Sequence, residues 1–306
     1  MNKTISYCIA LVLFTVMIAG ASREVHGEQE ASVSRGVIFS ALLPGLGQIS
    51  EGEYFKGGTV IAFEAVTGVV AGHWAREARK NKREFNLFND SLRFYREKVN
   101  DFEGPVPDSL YNSLAQYSIL SSRADYQTRE ARYKSINAIG WMVGGYVFSL
   151  LDALESSELV ASAHQKDPQT AGLLSAVPGL ALGQLYNGSL SKAGLIIMAQ
   201  ASLGLTAFNY HRLMQDASAQ YAFMRDTSTV ENRLSSEHLS YWKGRYDSAF
   251  SKRNTFMWYA AFVYLYSIFD AVVDAHLSDL PEKTKVRPDL ALCPGAGVSF
   301  SLSFNL

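Results

Sequence analysis

The chain is written twice. Pro44-Gly45-Leu46-Gly47-Gln48, followed by Gly52 and Lys56, returns as Pro178-Gly179-Leu180, Gly183-Gln184, Gly188 and Lys192. Beyond the lysine the copies stay in register without a gap, with Ile61, Ala65, Gly68 and Ala71 answering to Ile197, Ala201, Gly204 and Ala207. Each copy closes alike, Trp141, Ser149, Asp152 and Ala153 in the first standing for Trp258, Ser267, Asp270 and Ala271 in the second. The repeats run over 32–165 and 168–278 and differ in their middles, the second being shorter. Self-similarity at this scale implies one structural unit packed on its own copy, so function is to be sought in the unit.

Before the first repeat, residues 1–27 carry Lys3, an apolar stretch from Ile5 to Ala19 and small residues at Gly20-Ala21-Ser22 and Val25-His26-Gly27. This is the pattern of a secretory signal peptide cleaved near 21–27, and it directs the chain to a bacterial cell envelope, the inner membrane being favoured and the outer an option. Cys8 lacks the small-residue context of a lipid attachment site, and Cys293 is then the only cysteine of the mature chain, so no internal disulfide is expected. With 28 Lys and Arg against 29 Asp and Glu there is no basic excess of the kind that binds nucleic acid.

Each copy offers two apolar runs of nearly bilayer length, over 57–75 and 136–154 in the first and over 193–210 and 255–273 in the second. A soluble bundle with apolar core helices is the alternative to four membrane spans. Two features favour the membrane. Gly68 with Gly72 and Gly140 with Gly144 place small residues at helical spacing, as close helix packing in lipid requires. Basic residues also concentrate between the runs, twelve from Arg76 to Lys134 and seven from Arg212 to Arg253, whereas the connection from Glu155 to Ser191 has only Lys166. The positive-inside rule then puts both basic segments in the cytoplasm. The expected fold class is all-α: a duplicated helical hairpin membrane protein of about four long apolar helices, with a short helix before each Pro-Gly turn, beginning near Ser34 and near Thr170.

The inner segments read as helical arms. Phe85, Leu87, Phe88, Leu92 and Phe94-Tyr95 alternate with charges, Gly104-Pro105-Val106-Pro107 breaks the chain, and Asp108 is suited to cap the next helix. These aromatics fit arms packed on each other better than a partner surface. The tail, 279–306, ends in an alternating segment read as a single β-strand over 297–305, too little for a barrel.

Two groups of residues invite a chemical reading. In the first, Pro44, Gly45, Gly47, Gln48, Gly52 and Lys56, with Pro178, Gly179, Gly183, Gln184, Tyr186, Gly188 and Lys192, form glycine-rich turns. Their spacing matches no phosphate-binding fingerprint, so a structural turn is favoured, with Lys56 expected to snorkel to the membrane interface. The second group is a polar or ion site of Glu64, Asp152, Asp270, Asp274 and His276. Asp270 and Asp274 share a helix face and could hold a cation or pass protons, or else cap helix packing and pair with interfacial Arg or Lys. Ser156 and Glu158 stand at the corresponding places of the first copy, which favours the structural role. Catalytic triads, cysteine–histidine pairs and zinc motifs do not occur, so neither enzyme activity, cofactor nor metal is expected.

The Pro-Gly-x-Gly-Gln-x-Tyr-x-Gly and Asp-Ala-x-x-Asp-Ala-His patterns, matched at Pro178 to Gly188 and Asp270 to His276, resemble an uncharacterised family of bacterial envelope proteins, domain of unknown function 5683. The first copy departs where Ser50 replaces the tyrosine and where the second aspartate and histidine are missing; in the second, Ala181-Leu182 lengthen the turn. The resemblance implies membrane association and no established activity. Sequence therefore points to a non-enzymatic interaction or assembly component, partnered by the bilayer and by another envelope protein. A small transporter or channel with intramembrane carboxylates is the competing class, and a helical protein attached to the outer membrane a third.

Overall fold

The structure is a computed structural model and describes residues 35–156, 166–227, 234–278, 287–293 and 297–303; the expected signal peptide lies outside them. In the first copy, α1 (Arg35–Leu42) and α2 (Leu46–Ser50) form a tight helical pair. The turn between them passes through Pro44, which has no amide proton to continue a helix, and Gly45 at φ 91°. Two long helices follow, α3 (Tyr54–Asn100) and α4 (Asp108–Ser156). The second copy repeats the order with α5 (Pro168–Ser175), α6 (Leu182–Asn187), α7 (Leu190–Thr227) and α8 (Leu234–Ser278). Asp167 caps α5 by accepting the Thr170 amide at 2.8 Å, and Pro168 occupies the first helical position, where its missing N–H costs nothing.

Length decides how the helices are used. The 47 residues of α3 extend about 70 Å, more than twice the ~30 Å thickness of a hydrocarbon core. No proline interrupts it, so the apolar run and the charged arm are one rod, broken only at Gly104, whose φ is 113°. All four long helices have a stretch long and apolar enough to cross a membrane. They pack in a row, α3 on α4, α4 on α7 and α7 on α8, which leaves α3 and α8 at the two edges. Each short pair sits against its own copy: α1 on α4, α2 on α3 and α4, α5 and α6 on α8, and α6 on α7.

The arms have a core of their own. Trp242 is fully buried among Tyr126, Leu213, Ala217 and Ala249, with the Tyr126 and Tyr241 rings edge-on to it at 5.4 and 5.1 Å. Tyr95 stacks on Tyr117 at 5.2 Å, joining the α3 and α4 arms, while Leu87 and Phe94 stay exposed.

At the seam between the copies, a Cβ on Gly140 would meet Leu205 at 2.7 Å, and one on Gly144 would meet Met198 at 2.5 Å. Their companions are used differently: Gly68 has only Met142 at 3.9 Å, and a side chain at Gly72 would enter open space. Because α4 and α8 are unbroken, counting back from Asp152 and Asp270 sets Trp258 opposite Gly140, and Tyr259 opposite Trp141. The tryptophans are thus one residue out of register, a quarter-turn apart on the helix.

Past Ser278 the described backbone is an antiparallel strand pair, β1 (Arg287–Cys293) and β2 (Gly297–Ser303), with Arg287 opposite Ser303 and Cys293 opposite Gly297.

Candidate functional site

Two polar clusters lie under the glycine turns, one per copy, where the short helices meet the ends of the long ones. In the first, Gln48 of α2 is wholly buried and its amide nitrogen donates to the Ser149 carbonyl at 3.0 Å and to Asp152 Oδ2 at 2.9 Å. Ser149 Oγ donates in turn to Gln48 Oε1 at 3.3 Å and accepts the Gly45 amide at 2.9 Å. A glutamine suits this place because it offers donors and an acceptor from one planar group, so the turn and α4 are tied in both senses. Asp152, with no exposed side-chain surface, holds Lys56 Nζ at 2.5 Å through Oδ1. Lys56 also reaches Glu53 at 3.2 Å. Lys56, expected to snorkel to the membrane interface, is half-exposed and pairs with Asp152, because a fully buried carboxylate without a counter-charge would be far costlier than ordering one lysine stem.

The second cluster follows the same plan. Gln184 Nε2 donates to the Ser267 carbonyl at 2.7 Å and to Asp270 Oδ2 at 3.4 Å, and Ser267 Oγ returns a bond to Gln184 Oε1 at 3.3 Å. Lys192 bridges the two aspartates, 3.3 Å from Asp270 and 2.6 Å from Asp274. The i, i+4 carboxylates of α8 are thus a lysine clamp. His276 sits exposed two residues beyond Asp274, outside the clamp. Tyr186 accepts the Asp167 amide at 3.2 Å and so ties α6 to the start of α5.

The glycines of the motif are explained by contact as well as by backbone angle. Gly47 faces Ser40 Oγ and the Gly36 carbonyl so closely that any side chain would overlap them, and Gly183 stands against Ser175 Oγ and Ala271 in the same way. Gly52 and Gly188 end α2 and α6 with φ of 90° and 80°, and Gly179 has 87°. The longer second turn also forces Ala181 to φ 47°, a left-handed conformation that a residue with a Cβ adopts at a cost.

Three partners of these clusters do not stand out in the sequence. Tyr146 and Tyr264 occupy the same place in the two copies and donate to the Ala41 and Ala176 carbonyls at 2.6 and 3.0 Å, satisfying ends of α1 and α5. Counting back from the two aspartates would have revealed them. Ser191, at the start of α7, crosses between copies: its hydroxyl donates to Asp152 Oδ1 and its amide to Glu155 Oε2, each at 2.5 Å. Nothing in the repeat pattern signals that contact, because Phe55 fills the corresponding position in the first copy.

Glu64 stands apart from both clusters, facing Gly145 across the α3–α4 contact, with a buried Oε1 that lacks a hydrogen-bond partner. Its counterpart Gln200 accepts the Gly179 amide. The proposed polar set therefore divides into Asp152 with the first clamp, Asp270 and Asp274 with the second, and Glu64 and His276 outside either. Chemically each clamp is one lysine shared by two carboxylates, Glu53 and Asp152 in the first and Asp270 and Asp274 in the second, and it fastens a helical turn to the long helices.

No curated protein and no solved structure matches the chain. The pattern described as a family of unknown function, DUF5683, matches residues 29–162 and again residues 164–304. Two successive matches covering nearly the whole chain make this protein a tandem member of the DUF5683 family.

Proposed function

We propose that this chain is an integral membrane protein of the bacterial cell envelope, exported by its N-terminal segment, that serves as a non-enzymatic interaction or assembly component. The observation that carries the reading is the surface of α8. Trp258, Phe262, Leu265 and Phe269 are all exposed there, and only 11% of the helix's most apolar stretch is buried inside the protein. An apolar face of that extent is stable against hydrocarbon, or against another apolar helix within it, rather than against water. The lysine clamps support a structural role over ion passage, since a lysine holds every carboxylate of the pair of clusters at a glycine turn. The tail strands supply a further edge for docking on another envelope protein.

Separation of envelope membranes followed by alkaline carbonate extraction tests the placement. The protein should stay with the inner-membrane pellet; release into the supernatant overturns the integral reading, and enrichment in the outer-membrane fraction overturns the choice of membrane. Orientation is tested with Asn112→Cys in a Cys293→Ser background. An impermeant thiol reagent should leave it unlabelled in intact spheroplasts, and labelling without permeabilisation reverses the topology.

A further inference from the structure

The row of long helices ends where its own pattern would continue. The contact between the copies is head to tail: α4 of the first packs on α7 of the second, and α7 corresponds to α3. The matching surfaces at the edges, α8 (corresponding to α4) and α3 (corresponding to α7), have no such neighbour within the described residues. We propose that they meet between molecules, a second copy of this chain packing α3 against α8 of the first and extending the row. This names the partner that the assembly reading leaves open, and it rests on that reading.

At the level of Gly144 and Met198 the edges are complementary, with the roles of large and small exchanged. Inside the chain, Gly144 on α4 receives Met198 of α7 and Gly140 receives Leu205. On the edges, Gly144 corresponds to Phe262 and Met198 to Ala62, so the knob has moved to α8 and the hole to α3. Trp258 replaces Gly140 opposite Val69 in place of Leu205. Phe262, Trp258 and Val69 are 63%, 66% and 73% exposed, with the Trp258 and Phe262 rings 6.2 Å apart along the same helix, so most of their surface is uncovered.

The polar levels correspond too. Asn209 donates to Asn137 at 2.6 Å at the seam; the edge counterparts are His73 and Thr255, again a pair able to hydrogen-bond. One level further into the arms, Arg129 of α4 pairs with Asp216 of α7 at 3.0 Å, and the edges carry Asp247 on α8 and Lys80 on α3. The charges are exchanged and still opposite, and all four edge residues are exposed. A lipid-facing surface demands none of these matches, whereas a heterologous interface repeated from molecule to molecule demands every one.

The geometry predicts a specific cross-link. A Cβ at Gly144 would lie 3.1 Å from Met198 Cβ, so the equivalent Phe262 and Ala62 fall within disulfide reach in the assembly. Two differently tagged full-length chains, both Cys293→Ser, one with Ala62→Cys and one with Phe262→Cys, are co-expressed and oxidised in native envelope membranes. A mixed dimer carrying both tags is expected, with no dimer from either chain alone. Gly58→Leu, placed in open space on α3 and so harmless to the single chain, should abolish the mixed dimer without lowering protein amount, because Gly58 corresponds to Gly194, which lies against Phe148 at the seam. Absence of the mixed dimer, dimers of the Ala62→Cys chain by itself, or indifference to Gly58→Leu each overturns the proposal. Carbonate washing of the same membranes keeps the two readings separate: chains retained but not cross-linked sink the assembly alone, and chains released sink the membrane placement.

Discussion

Ser191, the second residue of α7, donates its hydroxyl to Asp152 Oδ1 at 2.5 Å, across the boundary between the two copies. That bond has no counterpart in the second cluster among the described residues, where Asp270 instead accepts the Tyr266 hydroxyl at 3.3 Å. Asp152 serves Lys56, Gln48 and Ser191 together and has no exposed side-chain surface, whereas Asp270 is 12% exposed and shares Lys192 with Asp274. Asp152→Asn should therefore destabilise the protein by about 1–3 kcal/mol, the scale for spoiling a buried charge-assisted bond. Asp270→Asn should cost under about 1 kcal/mol, since Asp274 keeps the lysine paired near the surface. Thermal aggregation of the detergent-solubilised variants measures the difference, and equal losses would show that the cross-copy bond adds nothing.

The duplication made most of the architecture legible. The short helices, the glycine turns and the long apolar helices could be placed because proline, glycine and charge-free runs act locally, within a few residues of the feature they determine. The clamps were half visible: Asp270 and Asp274 share a helix face by spacing alone, but their lysine arrives from α7 and only the packed structure brings it there. The partner of Lys56 was hidden for the same reason, since Asp152 is distant in sequence. The Trp141–Trp258 match misled because two like residues on uninterrupted helices look equivalent until the count from the aspartates shows them one position apart.

Gly144 is the tightest point of the seam between the copies. Gly144→Leu would drive a side chain into Met198, whose Cβ and Cα lie 3.1 and 3.2 Å from the added Cβ, so backbone must move. A cost of about 1–3 kcal/mol is expected, seen as less folded protein in the membrane and faster cleavage in limited proteolysis. Gly72→Leu is the control, because its Cβ meets open space; it should accumulate like wild type or better, a helix-interior glycine being weaker than alanine by roughly 0.8–1 kcal/mol and leucine ranking just behind alanine. Identical behaviour of the two variants would place the seam elsewhere.

The glycines of the turn should separate by mechanism. Gly183→Ala introduces a methyl group onto Ser175 Oγ and within 2.8 Å of Ala271 Cβ, so it should loosen α6 from α5 and α8 and lower stability by about 1–3 kcal/mol. Gly52→Asn meets nothing within 4 Å and asks only for a left-handed backbone, which asparagine tolerates, so its effect should stay below about 1 kcal/mol. Protease protection of the ends of the long helices that meet the short helices distinguishes them. A larger loss from Gly52→Asn would mean that backbone conformation, not close approach, dominates the motif.

The arms should respond to pH through His238. Its Nδ1 lies 2.6 Å from Arg123 Nη2, and that nitrogen can accept the guanidinium proton only while the imidazole is neutral. Burial, followed by the repulsion of Arg123, holds the histidine below its ordinary value, with Glu237 opposing weakly. A histidine depressed in the folded state binds more protons when unfolded, so its contribution is present above the unfolded value of about 6.5 and is lost as pH falls through the lower folded value. Arg123 also lies over the Tyr241 ring at 4.4 Å, beside the buried Trp242, so protonation should loosen the packed centre of the arms. Intrinsic tryptophan fluorescence during thermal unfolding should therefore show the arms melting earlier at pH 5 than at pH 7.5. His238→Asn retains an acceptor and cannot titrate in that range, so it should flatten this part of the pH profile. If the variant loses as much stability on acidification as wild type, other groups govern the response and the Arg123–His238 contact is not the sensor.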